Sequence, residues 1–139
     1  MKPSDLADLH ERCFDTPRPW CAEEFLALLK DSSVFLLTVD TGFVLGRAAS
    51  GEAELLTLAV DPDQRRRGAG TALLAAFERE ARDRSSDTAF LEVSVANTAA
   101  RALYEAAGYT ESGLRPKYYR RADGIRVDAI VMAKSLAQS

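Results

Sequence analysis

Histidine and cysteine are almost missing from this chain, whose 139 residues hold one His (His10) and two Cys (Cys13 and Cys21). A lone imidazole and two thiols without ligand spacing do not make a zinc site, and they do not make a disulfide scaffold. The expectation is therefore no metal and reduced thiols in a cytoplasmic protein. No apolar run approaches membrane-spanning length, and Met1-Lys2-Pro3-Ser4-Asp5 has no apolar signal region. A surplus of positive charge is also lacking. The 18 Lys and Arg against 21 Asp and Glu leave a net charge of −3, so binding of nucleic acid through overall charge is not expected. Charge is nonetheless uneven: from Ser112 onward Arg115, Lys117, Arg120, Arg121, Arg126 and Lys134 stand against Asp123 and Asp128. There is no repeat, linker or low-complexity stretch. With 47% hydrophobic and 28% charged residues, the chain reads as one domain, residues 1–139, large enough for a single core.

What is present is a clear alternation of periods. Ser4 is placed to cap a helix to about Cys13, with Leu6, Leu9 and Cys13 on one stripe. A loop with Pro17 and Pro19 leads to a second helix at 22–30. Strands are expected at 33–39, 43–49 and 53–60, separated by Asp40-Thr41-Gly42 and Ser50-Gly51 turns. A helix at 69–84 and a strand at Thr88–Val95 follow. Asn97 then caps a helix ending before Gly108, and strands at 109–118 and 125–134 close the chain. The fold class is a mixed α/β sheet with helices on both faces.

The densest information lies in residues 58–74. Strand formers end at a Pro turn, then Arg65-Arg66-Arg67-Gly68-Ala69-Gly70 leads directly into an apolar-periodic helix. A Gly-rich turn at a helix start leaves N–H groups unpaired at the positive end of the dipole. With glycines allowing close approach, such a turn binds phosphate. No Lys follows Gly70 as a P-loop requires, and the mid-chain position after other strands disfavours a dinucleotide fingerprint.

Two further residues carry potential chemistry. Glu92 interrupts the apolar strand Ala89-Phe90-Leu91-Glu92-Val93-Ser94-Val95, which lies between two helices and should be covered on both faces. Desolvation there would raise its pKa and suit it to general-base work; an Arg-paired structural Glu, or one reaching a wet cleft, explains the same pattern. From Glu92 the strand runs about 16 Å to Asn97 at roughly 3.3 Å per residue. The helix then returns about 10 Å by Tyr104 at roughly 1.5 Å per residue. Tyr104 can thus come back to the level of Glu92 with a proton to give, or it can simply pack with Leu103 and Ala107 as core.

These motifs together resemble the GNAT superfamily of acetyl-CoA-dependent N-acetyltransferases. Within it, the chain is most similar to the bacterial ribosomal-protein-alanine N-acetyltransferases (RimI-type). The resemblance spans roughly residues 7–136. It rests on Pro19-Trp20-x-x-x-x-Phe25, on Ala53 through Pro62, and on Arg65 through Gly70. It continues in Leu91-Glu92-Val93, Asn97 with Ala102-Leu103-Tyr104-Glu105-x-x-Gly108-Tyr109, Tyr118-Tyr119 and Asp128 through Met132. The resemblance implies acetyl-CoA as donor, with no metal. Leu58, Ala59 and Val60 would offer backbone groups to its acetyl and pantetheine part, where two parallel strands splay. Arg66, Arg67, Gly68, Ala69, Gly70 and Thr71, preceded by Arg65, would hold the pyrophosphate, and Asn97 would also touch the cofactor. Glu92 matches the general base, acting directly or through water, and Tyr104 the acid that protonates the leaving thiolate. Trp20 and Tyr118 would border the acceptor groove.

The implied acceptor is the N-terminal Ala of a small-subunit ribosomal protein. Another amine (a lysine side chain, polyamine or antibiotic) and a non-catalytic acyl-CoA-binding module are the alternatives, with RNA binding through the basic tail behind them. Neither membrane nor direct nucleic-acid partners are expected. The chain departs from the family pattern in two places. Only Met1-Lys2-Pro3 precedes the first helix, so the family's first strand is absent or vestigial, which would expose a sheet edge. Cys21 also replaces the usual hydroxyl residue after Trp20, a weaker cap.

Overall fold

The computed structural model describes residues 1–14, 18–65, 68–120 and 123–137. Two helices, α1 (Pro3–Cys13) and α2 (Ala22–Leu29), precede three antiparallel strands, β1 (Val34–Val39), β2 (Gly42–Ala49) and β3 (Glu52–Val60). A 3-10 turn at Pro62–Gln64 leads into α3 (Ala69–Asp83), then β4 (Thr88–Ser94), α4 (Thr98–Ala106), β5 (Thr110–Arg120) and β6 (Arg126–Ser135). The six strands form one mixed sheet in the order β1-β2-β3-β4-β6-β5. Its single parallel pair is β3 with β4, bridged by α3 as a parallel crossover requires.

The elements follow the expected periods, with local differences at their ends. α1 begins one residue before Ser4: Pro3 takes the first helical position, where its missing N–H costs nothing, and the Asp5 carboxylate accepts from Lys2 N–H at 2.8 Å. Glu24 supplies what Cys21 lacks as a cap, accepting from Cys21 N–H at 3.2 Å. The turn between β2 and β3 places Ser50 and Gly51 both at positive φ (55° and 83°), the pair of angles a two-residue hairpin of matching twist demands. Asn97 caps α4 as expected, its Oδ1 accepting from Ala100 N–H at 3.1 Å. Among the described residues α1 is the first element, and β1 is a sheet edge that pairs only with β2.

Two cores occupy the two faces of the sheet. On one, Leu73, Leu74, Phe77 and Ala81 of α3 and Tyr104 of α4 pack on Ala89, Leu91 and Val93 of β4 and Ile130 and Met132 of β6. On the other, Leu6, Leu9 and Phe25 of α1 and α2 pack on Val34, Phe43, Leu45 and Ala59. This second core rests on β1 to β3 and includes no residue of β4. The expectation that β4 is covered on both faces is corrected: Phe90 and Glu92 point away from α3 and α4 and are half-buried.

One irregularity prepares the site. The β2–β3 register passes from Leu45↔Thr57 to Gly46↔Leu55, leaving Leu56 as an extra residue in β3. Such a bulge reverses which residues face which side. Ahead of it Ala53 and Leu55 enter the α3 core; beyond it Leu58 and Val60 do, while Ala59 joins the α1–α2 core. Just there the parallel pairing stops. Its last partners are Glu54↔Phe90, although β3 continues to Val60 and β4 to Ser94.

Candidate active site

Where β3 and β4 part, a cavity of about 720 Å³ opens between them. The splay leaves backbone groups without ladder partners. Asp61 N–H donates to Thr41 O at 2.7 Å, which sets the phase of the β2–β3 ladder. By alternation Ala59 then bonds toward β2, whereas Leu58 and Val60 turn their N–H and C=O groups into the gap. Leu58 and Val60 line the cavity, but Ala59 does not; it is 1% exposed in the opposite core. Of the three expected backbone contributors, two are therefore in position. The Val60 carbonyl already accepts from Cys13 Sγ at 3.2 Å and Arg65 Nε at 3.4 Å, which leaves the Val60 N–H for a ligand.

One end of the cavity is the start of α3. Gly68, its N-cap, sits at φ 82°, a left-handed conformation that explains glycine there, since a Cβ would meet nothing within 4 Å. At Gly70 the reason is space: a Cβ would lie 3.3 Å from Leu103 Cδ2, so glycine lets α3 and α4 approach. Gly68, Ala69, Gly70 and Thr71 line the cavity with the unpaired N–H groups of a 15-residue helix behind them. Arg65 lines it too, whereas Arg66 and Arg67 lie outside the described residues. Asn97 lines the same space while its Oδ1 serves as the α4 cap, so only its amide NH₂ remains for a ligand.

Glu92 and Tyr104 line this one cavity from the two sides of the sheet. Glu92 reaches it from the face opposite α3 and α4, at β4, which the α1–α2 core does not reach; its side chain is 17% exposed and its Oε1 lies 3.2 Å from Arg115 Nη2. Both bland readings of the sequence thus hold at once: it is paired with an Arg, and it opens on a cleft. Tyr104 enters from α4, packed edge-on against Tyr109 with ring centres 6.0 Å apart. Burial pushes its phenol well above the ordinary value, so it keeps its proton across neutral pH.

On the acceptor side Trp20 lines the cavity and Tyr118 does not. Tyr118 is 48% exposed, and its neighbour Tyr119 lines the cavity in its place, its phenol pushed up to about 12 by burial and by the negative charge of Glu92. Across the register break from Arg115↔Ala129 to Tyr119↔Val127, β5 carries two extra residues, so alternation is kept: Tyr119 shares the face of Arg115, while Tyr118 belongs to the exposed stretch 116–118 opposite Asp128. The doublet marks this place in the sequence; Tyr119 turns inward because it shares the face of Arg115, four residues before it.

His10, also in the cavity wall, has a role that only the fold reveals. Trp20 N–H donates to its Nδ1 at 3.0 Å, so the ring proton sits on Nε2 and faces Thr57 Oγ1 at 3.0 Å. The ring stacks on Phe14 and Trp20 with centres 4.2 and 5.2 Å away. It is a neutral post that holds Trp20 at the rim. Burial lowers its pKa from 6.5 to about 4. A histidine whose folded pKa is depressed contributes stability above its unfolded pKa and loses it as pH falls from 6.5 toward about 4. The melting temperature should therefore fall more steeply over that window in the wild type than in His10→Gln; parallel curves in a thermal-shift pH series would show that His10 is not the source.

The acetyltransferase (GNAT) family's sequence profile matches residues 4–109 of this chain. The chain belongs to the GNAT acetyltransferase family. It is an N-acetyltransferase, and the mixed sheet with its splayed parallel pair is the GNAT fold. The chain is 40% identical over 119 residues to the ribosomal protein bS18-alanine N-acetyltransferase of Escherichia coli, spanning 83% of this chain and 80% of that protein. The crystal structure of the Escherichia coli ribosomal-protein-S18-alanine N-acetyltransferase superposes with a TM-score of 0.83 at 34% identity, covering 96% of this chain and 86% of that one. Ard1 from Thermoplasma volcanium gives 0.81 at 27% identity, covering 99% and 95%. A Salmonella typhimurium GNAT structure solved with acetyl-CoA shares the fold at a TM-score of 0.77 and 19% identity, covering 100% and 92%. Among the described residues no cluster of His, Cys, Asp or Glu is arranged to hold a metal, and no helix is long and apolar enough to cross a membrane.

Proposed function

We propose that this GNAT enzyme acetylates the N-terminal α-amine of a protein, with the N-terminal Ala of a small-subunit ribosomal protein as acceptor, in the cytoplasm. Acetyl-CoA is the donor, and when bound it supplies a thioester whose carbonyl is open to attack. The observation that carries the reading is the single cavity that unites the unpaired N–H groups of α3, the β3–β4 gap, Glu92 and Tyr104. Its residues fit such a donor: a helix start for phosphates, and Leu58 and Val60 backbone groups for an extended amide chain. The 40% identity to the bS18-alanine enzyme supports the acceptor.

In this reading Glu92 receives the acceptor's ammonium and takes its proton, directly or through a water, because only the neutral amine is a nucleophile. The Val60 N–H polarises the carbonyl and stabilises the oxyanion. Tyr104, protonated at neutral pH, gives the hydrogen bond and proton that let the thiolate depart. Trp20 and Tyr119 flank the approaching peptide. An acceptor panel tests the assignment by thiol release: an Ala-initiated peptide is expected to exceed spermidine, free lysine and an aminoglycoside by at least about tenfold in kcat/KM, a difference of about 1.4 kcal/mol in transition-state binding. Faster turnover of any small amine would overturn the peptide assignment, and binding of CoA with no turnover on any acceptor would make the chain a binding module.

A further inference from the structure

Glu92 is not waiting empty for an amine. The Arg115 guanidinium lies 3.2 Å from its carboxylate, and the Arg115 Cζ sits 5.3 Å from the centre of the Tyr118 ring. The β5 register break gathers these groups: Arg115 is the last paired residue before it, Lys117 takes φ 52°, and Lys117 N–H is held by Asp128 Oδ1 at 2.8 Å. A bulge that re-aims side chains beside a cleft is a constructed feature.

We propose that Arg115 is a displaceable internal cation that occupies the acceptor's ammonium position at Glu92, so that an amine enters by expelling it. This rests on the reading of Glu92 as the group that receives the amine. The two partners differ in freedom: the Glu92 side chain is 17% exposed and that of Arg115 is 54% exposed. A carboxylate in a cleft is costly to leave unpaired, whereas a half-exposed guanidinium is cheap to release. Arg115 also has somewhere to go. The exposed face of Tyr118 carries it by a cation–π contact, and the nearby Glu54 carboxylate feels its charge. Glu54 is only loosely engaged by Arg47, at 3.9 Å. An ammonium can compete for Glu92; an acetylated N-terminus, being neutral, cannot. Arg115 therefore discriminates between substrate and product, and its return to Glu92 favours product release.

The test is equilibrium binding, in the presence of CoA, of a fluorescent Ala-initiated hexapeptide with a free N-terminus and of the same peptide N-acetylated. With Arg115→Gln the free-amine peptide should bind about two- to fivefold tighter than to wild type, the range expected when a part-exposed competing ion pair is removed, while the acetylated peptide is unchanged. Weaker binding of the free amine would mean that Arg115 holds the acceptor, and equal changes for both peptides, or none, would also overturn the proposal. If Gln at 115 impairs folding, Arg115→Met, which keeps the apolar stem, is measured with the same two peptides. No turnover enters this measurement. Its failure alongside a catalytically dead Glu92→Gln would leave the general-base reading standing.

Discussion

Replacing Glu92 with Gln is expected to lower kcat/KM for the peptide acceptor by about 10²- to 10⁴-fold, the usual contribution of a positioned general base. Affinity for CoA, measured by calorimetry, should be nearly unchanged. The cost in stability should also be small. Its Arg115 partner is 54% exposed, and such pairs contribute about 0–1 kcal/mol, so the melting temperature should move by no more than about 5 °C. These magnitudes separate the two roles of a carboxylate that is both ion-paired and cleft-lining. Turnover, CoA affinity and melting temperature falling together would make Glu92 a structural residue.

Tyr104→Phe should lower kcat by about 10²-fold with little change in KM, because in the proposed mechanism the phenol acts only as the thiolate departs. The ring, 6% exposed and packed edge-on against Tyr109, is preserved in the variant, so the fold should not suffer. Burial holds the phenol well above its ordinary value. An acid in that state stays protonated as pH rises through neutrality, so no alkaline decline in the wild-type rate below about pH 10 should trace to Tyr104. Steady-state kinetics of the two proteins from pH 6 to pH 9.5 check both points. An unchanged kcat would reduce Tyr104 to a core residue, and a decline present in wild type but absent from Tyr104→Phe would contradict the high phenol value.

Where these two side chains could be read in advance, the signal was local. Strand and helix rises bring Tyr104 back to the level of Glu92, because each spacing is a property of one element and its successor. The glycine-led start of α3 is legible for the same reason: a left-handed Gly68 before an apolar-periodic helix is a backbone statement within a few residues. The Asn97 cap belongs to this class too.

Which face a residue occupies is not legible locally. Leu58, Ala59 and Val60 are consecutive in a strand that alternates, and the Leu56 bulge decides which phase opens into the gap. Of the Tyr118-Tyr119 doublet it is Tyr119 that lines the cavity, on the face that Arg115 shares through its pairing with β6. Glu92 is only partly covered because the α1–α2 core stops short of β4. His10 showed no functional signal at all, since its partners Trp20 and Thr57 are separated from it by 10 and 47 residues.

The amino-acid sequence alone therefore determined the element order, the glycine-led start of α3 and the family resemblance, all carried by motifs shorter than two consecutive elements. Tertiary structure decided that β3 and β4 part after Glu54, that the Leu56 bulge turns Leu58 and Val60 to the α3 face, that Tyr119 shares a face with Arg115, and that Arg115 meets Glu92. The physical reason is register: an extra residue in one strand leaves local propensity unchanged yet turns every following side chain to the other face, and only the partner strand shows where that happens.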